Sequence, residues 1–310
     1  MTNNGFKSGL VTIAGRTNVG KSTLINQIIQ TEIAIATHKP QTTRHLIKGV
    51  YEDESSQIVF IDSPGMHKAV DQLGHHMQKA SSAAIQGTDL VLLVIDARSE
   101  LKIDLIEKRI IHLANSSKIP IILVINKIDL IKKEQLLPLM QIYIDYSDFK
   151  ALVPISAKNN NGVDLLIDEI KRNLAIGPPI VVNGSYTNQT EKILAAEYIR
   201  SEIIHQISEE IPYSVAIKIE SFDEIYDQAG ERIRVKIHAD IICERDNHKM
   251  ILIGKKGKQI AAIGKASRQK IMDMLDCPCD LMLFVRVEND WRNRAGQIKE
   301  LGYSGQDLDL

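Results

Sequence analysis

Gly15-Arg16-Thr17-Asn18-Val19-Gly20-Lys21-Ser22 follows the apolar run Leu10–Ala14 and precedes a helix expected to begin near Lys21. The G-x-x-x-x-G-K-S spacing belongs to a loop whose backbone N–H groups point inward at phosphates. Its glycines remove Cβ interference, and the helix behind it adds its positive end. Lys21 is expected beside the β- and γ-phosphates, with the Ser22 hydroxyl as a magnesium ligand and Thr23 completing the nucleotide-binding run. Alone, the loop says only nucleoside triphosphate. The base is read from Asn126-Lys127-Ile128-Asp129. An ionised Asp129 carboxylate is purely an acceptor, so it suits the N1–H and exocyclic amine of guanine and repels the acceptor edge of adenine.

Further signals lie between and beyond these two. Asp62-Ser63-Pro64-Gly65 ends the strand-like run Ile58–Ile61. By itself it is good turn chemistry. Behind a phosphate loop, Asp62 is placed to hold magnesium through water, and Gly65 to offer its N–H to the γ-phosphate. The polar run from Lys39 to Arg44 reads equally as a surface turn or as a switch loop whose threonine reaches magnesium only when the γ-phosphate is present. Ile155-Ser156-Ala157 ends another strand, where small residues and a backbone amide close over the base. Met66, just after the D-x-P-G motif, cannot make the hydrogen bond that orients an attacking water elsewhere.

From Gly9 to about Leu174 apolar runs (Leu10–Ala14, Ile58–Ile61, Leu90–Ile95, Ile121–Ile125, Leu152–Ile155) alternate with helical stretches expected over 102–115, 132–146 and 163–174. Runs this apolar imply a parallel sheet covered on both faces, with ligands at the carboxyl ends of its strands. Gly177-Pro178-Pro179 then breaks structure, and 183–190 is polar without periodicity. The expected organisation is a nucleotide-binding domain over 1–176, a linker over 177–190 and a second domain over 191–310. The second half reads helix (191–209), strand after Pro212, strand (233–242), two helices flanking Gly254–Gly257, and a strand (280–288).

That second half carries a local charge. Residues 245–272 hold eight Lys or Arg against one acid, in a chain of net charge −1. The G-x-x-G turn Gly254-Lys255-Lys256-Gly257, between Ile253 and Lys258, lets backbone approach a sugar–phosphate chain closely. Ile260, Lys265 and Arg268, in the helical stretch that follows, are further candidate RNA contacts. A solvated helix pair joined by a glycine turn is the plain alternative; the charge focusing favours RNA.

Composition excludes other classes. At 310 residues, 44% hydrophobic and 25% charged, the chain is an ordinary globular protein with room for two cores. Its longest apolar runs are strand-sized, and no leader pattern opens it, so a cytoplasmic location is expected. Three cysteines cannot all pair, and Cys277-Pro278-Cys279 lacks a fourth soft ligand at zinc-like spacing.

The order G-x-x-x-x-G-K-S, Thr, D-x-P-G, N-K-x-D, S-A resembles the motifs of translation-factor-related GTPases. Gln41-Thr42-Thr43-Arg44, Asn126–Asp129 and Ile155–Ala157 match the TrmE-Era-EngA-like family, and in particular its Era members. The resemblance covers essentially the whole chain. It implies a P-loop GTPase domain with a mostly parallel, doubly wound sheet, then a smaller α+β type II KH domain. It implies Thr43 as the magnesium-sensing threonine, slow turnover of GTP to GDP, and a potassium ion beside Asn18 in place of an arginine finger. It further implies binding of the 3′ end of small-subunit rRNA during 30S assembly and rRNA maturation, by a monomer with peripheral inner-membrane contact. An RNA-modification or membrane-associated signalling GTPase, its basic domain bound to other RNA or anionic lipid, is the alternative. Thr17 departs from the family's usual proline and Ser63 from its usual threonine; neither change removes a ligand.

Overall fold

The computed structural model describes residues 5–31, 33–34, 46–65, 69–181, 191–207 and 211–303. Thr43, Met66 and the 183–190 segment lie outside these. The chain divides into two compact units. The first holds Gly74–Asn188 with the chain up to Val70, and the second holds Gln189–Tyr303 with Asp71–Leu73.

The first unit is built on a six-stranded sheet. Its strands are β1 (Lys7–Gly15), β2 (Ile47–Asp53), β3 (Ser56–Asp62), β4 (Leu90–Asp96), β5 (Ile121–Asn126) and β6 (Ala151–Pro154), in the order β2-β3-β1-β4-β5-β6. All pairings are parallel except β2 with β3. Side chains alternate between two cores. Val11, Ile13, Leu92, Val94, Ile122 and Val124 face one, which includes Leu24 and Ile25 of α1 (Lys21–Ile29) and Leu166 and Ile170 of α5 (Val163–Asn173). Ala14, Val91, Leu93, Ile95, Leu123 and Ile125 face the other. That core includes Ile85 of α2 (Gln72–Gln86), Ile110 of α3 (Leu105–Ser116) and Tyr143 of α4 (Leu136–Ile144). Burial on both faces is why these strands read as continuous apolar runs.

Several boundaries differ from expectation for local reasons. The α3 helix starts at Leu105 because Asp104 caps it: its carboxylate accepts from Ile106 N at 2.8 Å while Glu107 reaches back to Asp104 N at 2.9 Å. Lys102 and Ile103 are loop. The 132–146 stretch begins as a 3₁₀ turn (Lys133–Gln135) before α4, and Pro138 falls in the first turn of α4, where its missing N–H costs no helical bond. Gly177 N donates to the Phe6 carbonyl at 3.0 Å, and Gln57 Oε1 accepts from Ile180 N and Val181 N.

In the second unit the helices are α6 (Glu191–Gln206), a short α7 (Ile211–Ser214), α8 (Asp246–Ile253), α9 (Lys258–Leu275) and α10 (Ala295–Glu300). Its strands are β7 (Ala216–Tyr226), β8 (Arg232–Cys243) and β9 (Cys279–Val287). They form a sheet in that order, β7 antiparallel and β9 parallel to β8. Val235, Ile237, Ala239 and Ile241 of β8 share a core with Ala195, Ile199 and Ile203 of α6 and Ile263 and Ile271 of α9. Trp291 is fully buried and donates from Nε1 to the Ser214 carbonyl at 2.9 Å, so it packs rather than offering a face for stacking.

Candidate functional site

Three strand ends converge on one loop. β1 runs into the phosphate loop at Gly15, whose φ of 155° brings it so close to β4 that a Cβ would fall 2.3 Å from the Val94 carbonyl oxygen. Asn18 (φ 63°) and Gly20 (φ 99°) take the left-handed turn that leads into α1. A Cβ on Gly20 would lie 2.3 Å from Asn126 Nδ2. Lys21 is buried, and its Nζ donates to the carbonyls of Arg16 at 2.9 Å and Gly15 at 3.4 Å. Burial pulls its pKa down, with the Asp62 carboxylate opposing that shift.

Asp62 and Gly65 arrive at the same place from β3. The Ser22 hydroxyl donates to Asp62 Oδ2 at 3.1 Å. Ser63, fully buried, is fixed by its hydroxyl on the Ile13 carbonyl at 3.0 Å, and Ser81 Oγ donates to the Pro64 carbonyl at 3.0 Å. A Cβ on Gly65 would sit 2.9 Å from Thr17 Cγ2 and 3.1 Å from Lys21 Nζ. A side chain there would press on the loop and push Thr17 and Lys21 aside.

Asn126, at the end of β5, is the joint. Its Nδ2 donates to the Val19 carbonyl at 2.9 Å, and its Oδ1 accepts from Lys127 N at 2.8 Å and Ala157 N at 3.0 Å. One buried amide thus ties the phosphate loop, the N-K-x-D segment and the Ser156-Ala157 turn together. Lys127 turns left-handed (φ 67°) into a 3₁₀ turn that presents Asp129 in an exposed position. The structure brings Gly15–Ser22, Asp62–Gly65, Asn126, Lys127 and Ala157 into one cluster.

The G-x-x-G turn lies in the second unit. Gly254 (φ 71°) ends α8, Lys255–Gly257 forms a 3₁₀ turn, and Gly257 (φ 74°, ψ 11°) caps α9. Lys255, Lys256, Lys258, Lys265 and Arg268 are exposed, while Ile253 and Ile260 are half-buried beside them. The positive end of α9 and these cations therefore face solvent together.

Residues 10–127 match the family described as 50S ribosome-binding GTPase, and residues 210–292 match the KH domain family. GTPase Era of Clostridioides difficile is 44% identical over 300 residues, covering 96% of this chain and 99% of that protein. GTPase Era of Geobacter metallireducens is 41% identical, covering 98% and 100%. The chain belongs to the Era family of GTPases. It is similar throughout to a solved Aquifex aeolicus Era variant bound to GDP and AlF4−, with a TM-score of 0.90, 34% identity and coverage of 96% of this chain and 100% of that one. A second Era structure, in complex with MgGDPNP and nucleotides 1506–1542 of 16S ribosomal RNA, aligns equally well (TM-score 0.90, 34% identity, 96% and 99% coverage). As in the family, a P-loop GTPase domain precedes a KH domain.

Asp96, with Arg98 beside it, was missed in the sequence. Asp96 ends β4 just as Asp62 ends β3 and Asn126 ends β5. Its carboxylate accepts from Lys127 Nζ at 2.8 Å and from Arg98 Nε and a terminal guanidinium nitrogen at 3.0 and 2.7 Å. The readable signal was a polar residue closing a buried apolar strand at the carboxyl edge of the sheet.

Proposed function

We propose that the chain binds and hydrolyses GTP at the cluster around Lys21, and that the bound nucleotide governs how the KH domain holds the 3′ end of small-subunit rRNA during 30S assembly. The observation that carries the reading is the Asn126 amide, which builds base-reading and phosphate-binding elements into one rigid edge. In this reading the N–H groups of Gly15–Ser22 receive the phosphates, while Lys21 exchanges its carbonyl partners for phosphate oxygens. Asp129 selects guanine, and Gly65 reports the γ-phosphate by its N–H. Ser22 Oγ and Asp62 Oδ2, 3.1 Å apart, are hard oxygen donors that fit magnesium. Magnesium, when bound, neutralises charge on the β- and γ-phosphates.

Thr43 belongs to this proposal as the switch threonine, and Met66 accounts for slow turnover, since a thioether does not orient water. Potassium beside Asn18, in its exposed left-handed turn, extends the proposal. GTPase rates several-fold higher in potassium than in sodium are expected, and equal rates contradict that extension. The G-x-x-G turn with Lys255, Lys256, Lys258, Lys265 and Arg268 takes the RNA backbone, with residues 191–310 as the RNA-binding domain. Among the described residues no helix is long and apolar enough to cross a membrane. A cytoplasmic monomer that meets the inner membrane only peripherally completes the proposal, and flotation with anionic vesicles tests the membrane part. The function itself is tested by phosphate release from GTP and by binding of a labelled rRNA 3′-end oligonucleotide to the same preparation; absence of either activity contradicts it.

A further inference from the structure

Asp96 stands opposite Asn126 in the parallel register of β4 and β5, and the backbone N–H that follows it, on Ala97, donates to the Asn126 carbonyl at 2.8 Å. Its side chain is 15% exposed and is saturated with donors. Arg98 supplies a backbone N–H at 3.0 Å and a bidentate guanidinium, and Lys127 supplies its ammonium at 2.8 Å. Lys127 Nζ also donates to the Asn18 carbonyl. A chain of hydrogen bonds, charged as far as Lys127, therefore runs Arg98–Asp96–Lys127 to the Asn18 carbonyl, from the edge of the sheet to the phosphate loop. It lies beside the neutral tie from Asn126 to Val19.

The two ties differ in kind. The amide of Asn126 fixes backbone to backbone, whereas Asp96 gives a long, many-rotamer cationic side chain a second anchor beside the Asn18 carbonyl. Burial pushes the Asp96 carboxyl upward, but hydrogen bonds from Arg98 and Lys127 outweigh it and hold the pKa at about 2. The group is ionised throughout the physiological range. Arg98, locked on Asp96, also lies within the field of the Asp129 carboxylate.

We infer that Asp96 is a positioning residue for nucleotide recognition: it holds Lys127 against the Asn18 carbonyl, so that the base side of the phosphate loop is formed before the nucleotide arrives. The inference rests on the guanine-nucleotide reading of the site. The carboxylate acts through Lys127 and touches no reacting atom, so its loss raises the dissociation constant and leaves kcat alone.

The test is a double-mutant cycle on full-length protein, with fluorescent GDP as the probe. Asp96→Asn keeps the size and the acceptor for Arg98 N but removes the charge. It is expected to weaken GDP binding about tenfold, the scale of one charge-assisted hydrogen bond, with kcat at saturating GTP unchanged. In a Lys127→Met background the same change is expected to cost less than about twofold, because the partner it acts through is gone. Asp96→Glu, which restores the charge on a longer arm, recovers most of the affinity, and the melting of nucleotide-free protein separates this from unfolding. Unchanged GDP affinity in Asp96→Asn overturns the inference, as does an equal loss in the Lys127→Met background. Failure of wild-type protein to bind GDP overturns instead the reading on which it rests.

Discussion

Asn126 Nδ2 donates to the Val19 carbonyl at 2.9 Å, joining residues 107 apart in sequence, and the same side chain accepts from Lys127 N and Ala157 N. It is only 2% exposed, so truncation strands a carbonyl and two N–H groups where water has little access. Each stranded group costs about 1–3 kcal/mol. Asn126→Ala is therefore expected to lower guanine-nucleotide affinity by at least about a hundredfold, read by fluorescent GDP titration. Affinity within twofold of wild type contradicts the assignment of Asn126 as the joint.

Asp129 is expected to set base choice by charge. Asp129→Asn replaces one acceptor with a donor, which matches the added carbonyl of xanthine. GTP affinity should fall on the order of a hundredfold while xanthosine triphosphate gains, since a mismatched polar group in a recognition site is heavily penalised. Competition of both triphosphates against labelled GDP measures the switch. An unchanged preference rules out Asp129 as the base reader.

The two glycines of the G-x-x-G turn are expected to fail differently. A Cβ on Gly254 would fall 2.6 Å from Gln259 Cβ, at φ 71° and ψ 173°. Gly254→Ala should thus destabilise the second unit by about 1–3 kcal/mol, the cost of such backbone strain. Gly257 has no atom within 4 Å of a built Cβ and sits at φ 74°, ψ 11°, a region aspartate tolerates. Gly257→Asp should cost only about 1 kcal/mol of stability, while placing a carboxylate where RNA phosphate is expected. RNA affinity should drop at least about tenfold, by like-charge opposition at a site of basic focus, with GTPase activity retained. Urea melts and RNA titrations of both variants decide whether the glycines divide in this way.

Burial raises the thiol pKa of Cys279 to about 11, with the Asp280 carboxylate adding to it, and raises that of Cys243 as well. An unfolded thiol ionises near its ordinary value, so between about pH 9 and 11 only the unfolded chain loses the proton. The contribution is whole below that window and lost as pH rises through it. Trp291 is the single tryptophan and lies in the second unit, so its fluorescence follows urea unfolding of that unit. The midpoint should fall more steeply with pH in wild type than in Cys279→Ala; parallel slopes contradict the shift.

What the sequence revealed follows from where each residue's partners lie. β4 and β5 were legible because both faces are buried and nearly every position is apolar, and β1 through its Leu10–Ala14 stretch. The edge strand β2 was not, since Ile-Lys-Gly-Val-Tyr-Glu-Asp alternates weakly and pairs antiparallel on one side only. Gly49 within it lies so close to the α1 side that a Cβ would meet Ile33 at 2.5 Å, a constraint no periodicity announces. The α2 helix was also missed: Leu73, Met77, Ala84 and Ile85 are buried among His, Gln and Ser, too thin a stripe to stand out. The phosphate loop was legible because its glycines and lysine are contiguous. Asp96 carried only the weak signal of a polar residue closing an apolar strand, and its link to Lys127 comes from the register of β4 on β5.

The central claim is that nucleotide state sets how firmly the RNA end is held. Its most direct test is the dissociation rate of a labelled oligonucleotide carrying the 3′ end of small-subunit rRNA, measured with saturating GDP and with a non-hydrolysable GTP analogue. The account predicts release at least about tenfold slower in the GTP-analogue state, which at an unchanged association rate is a coupling of about 1.4 kcal/mol. Equal rates in the two states contradict it.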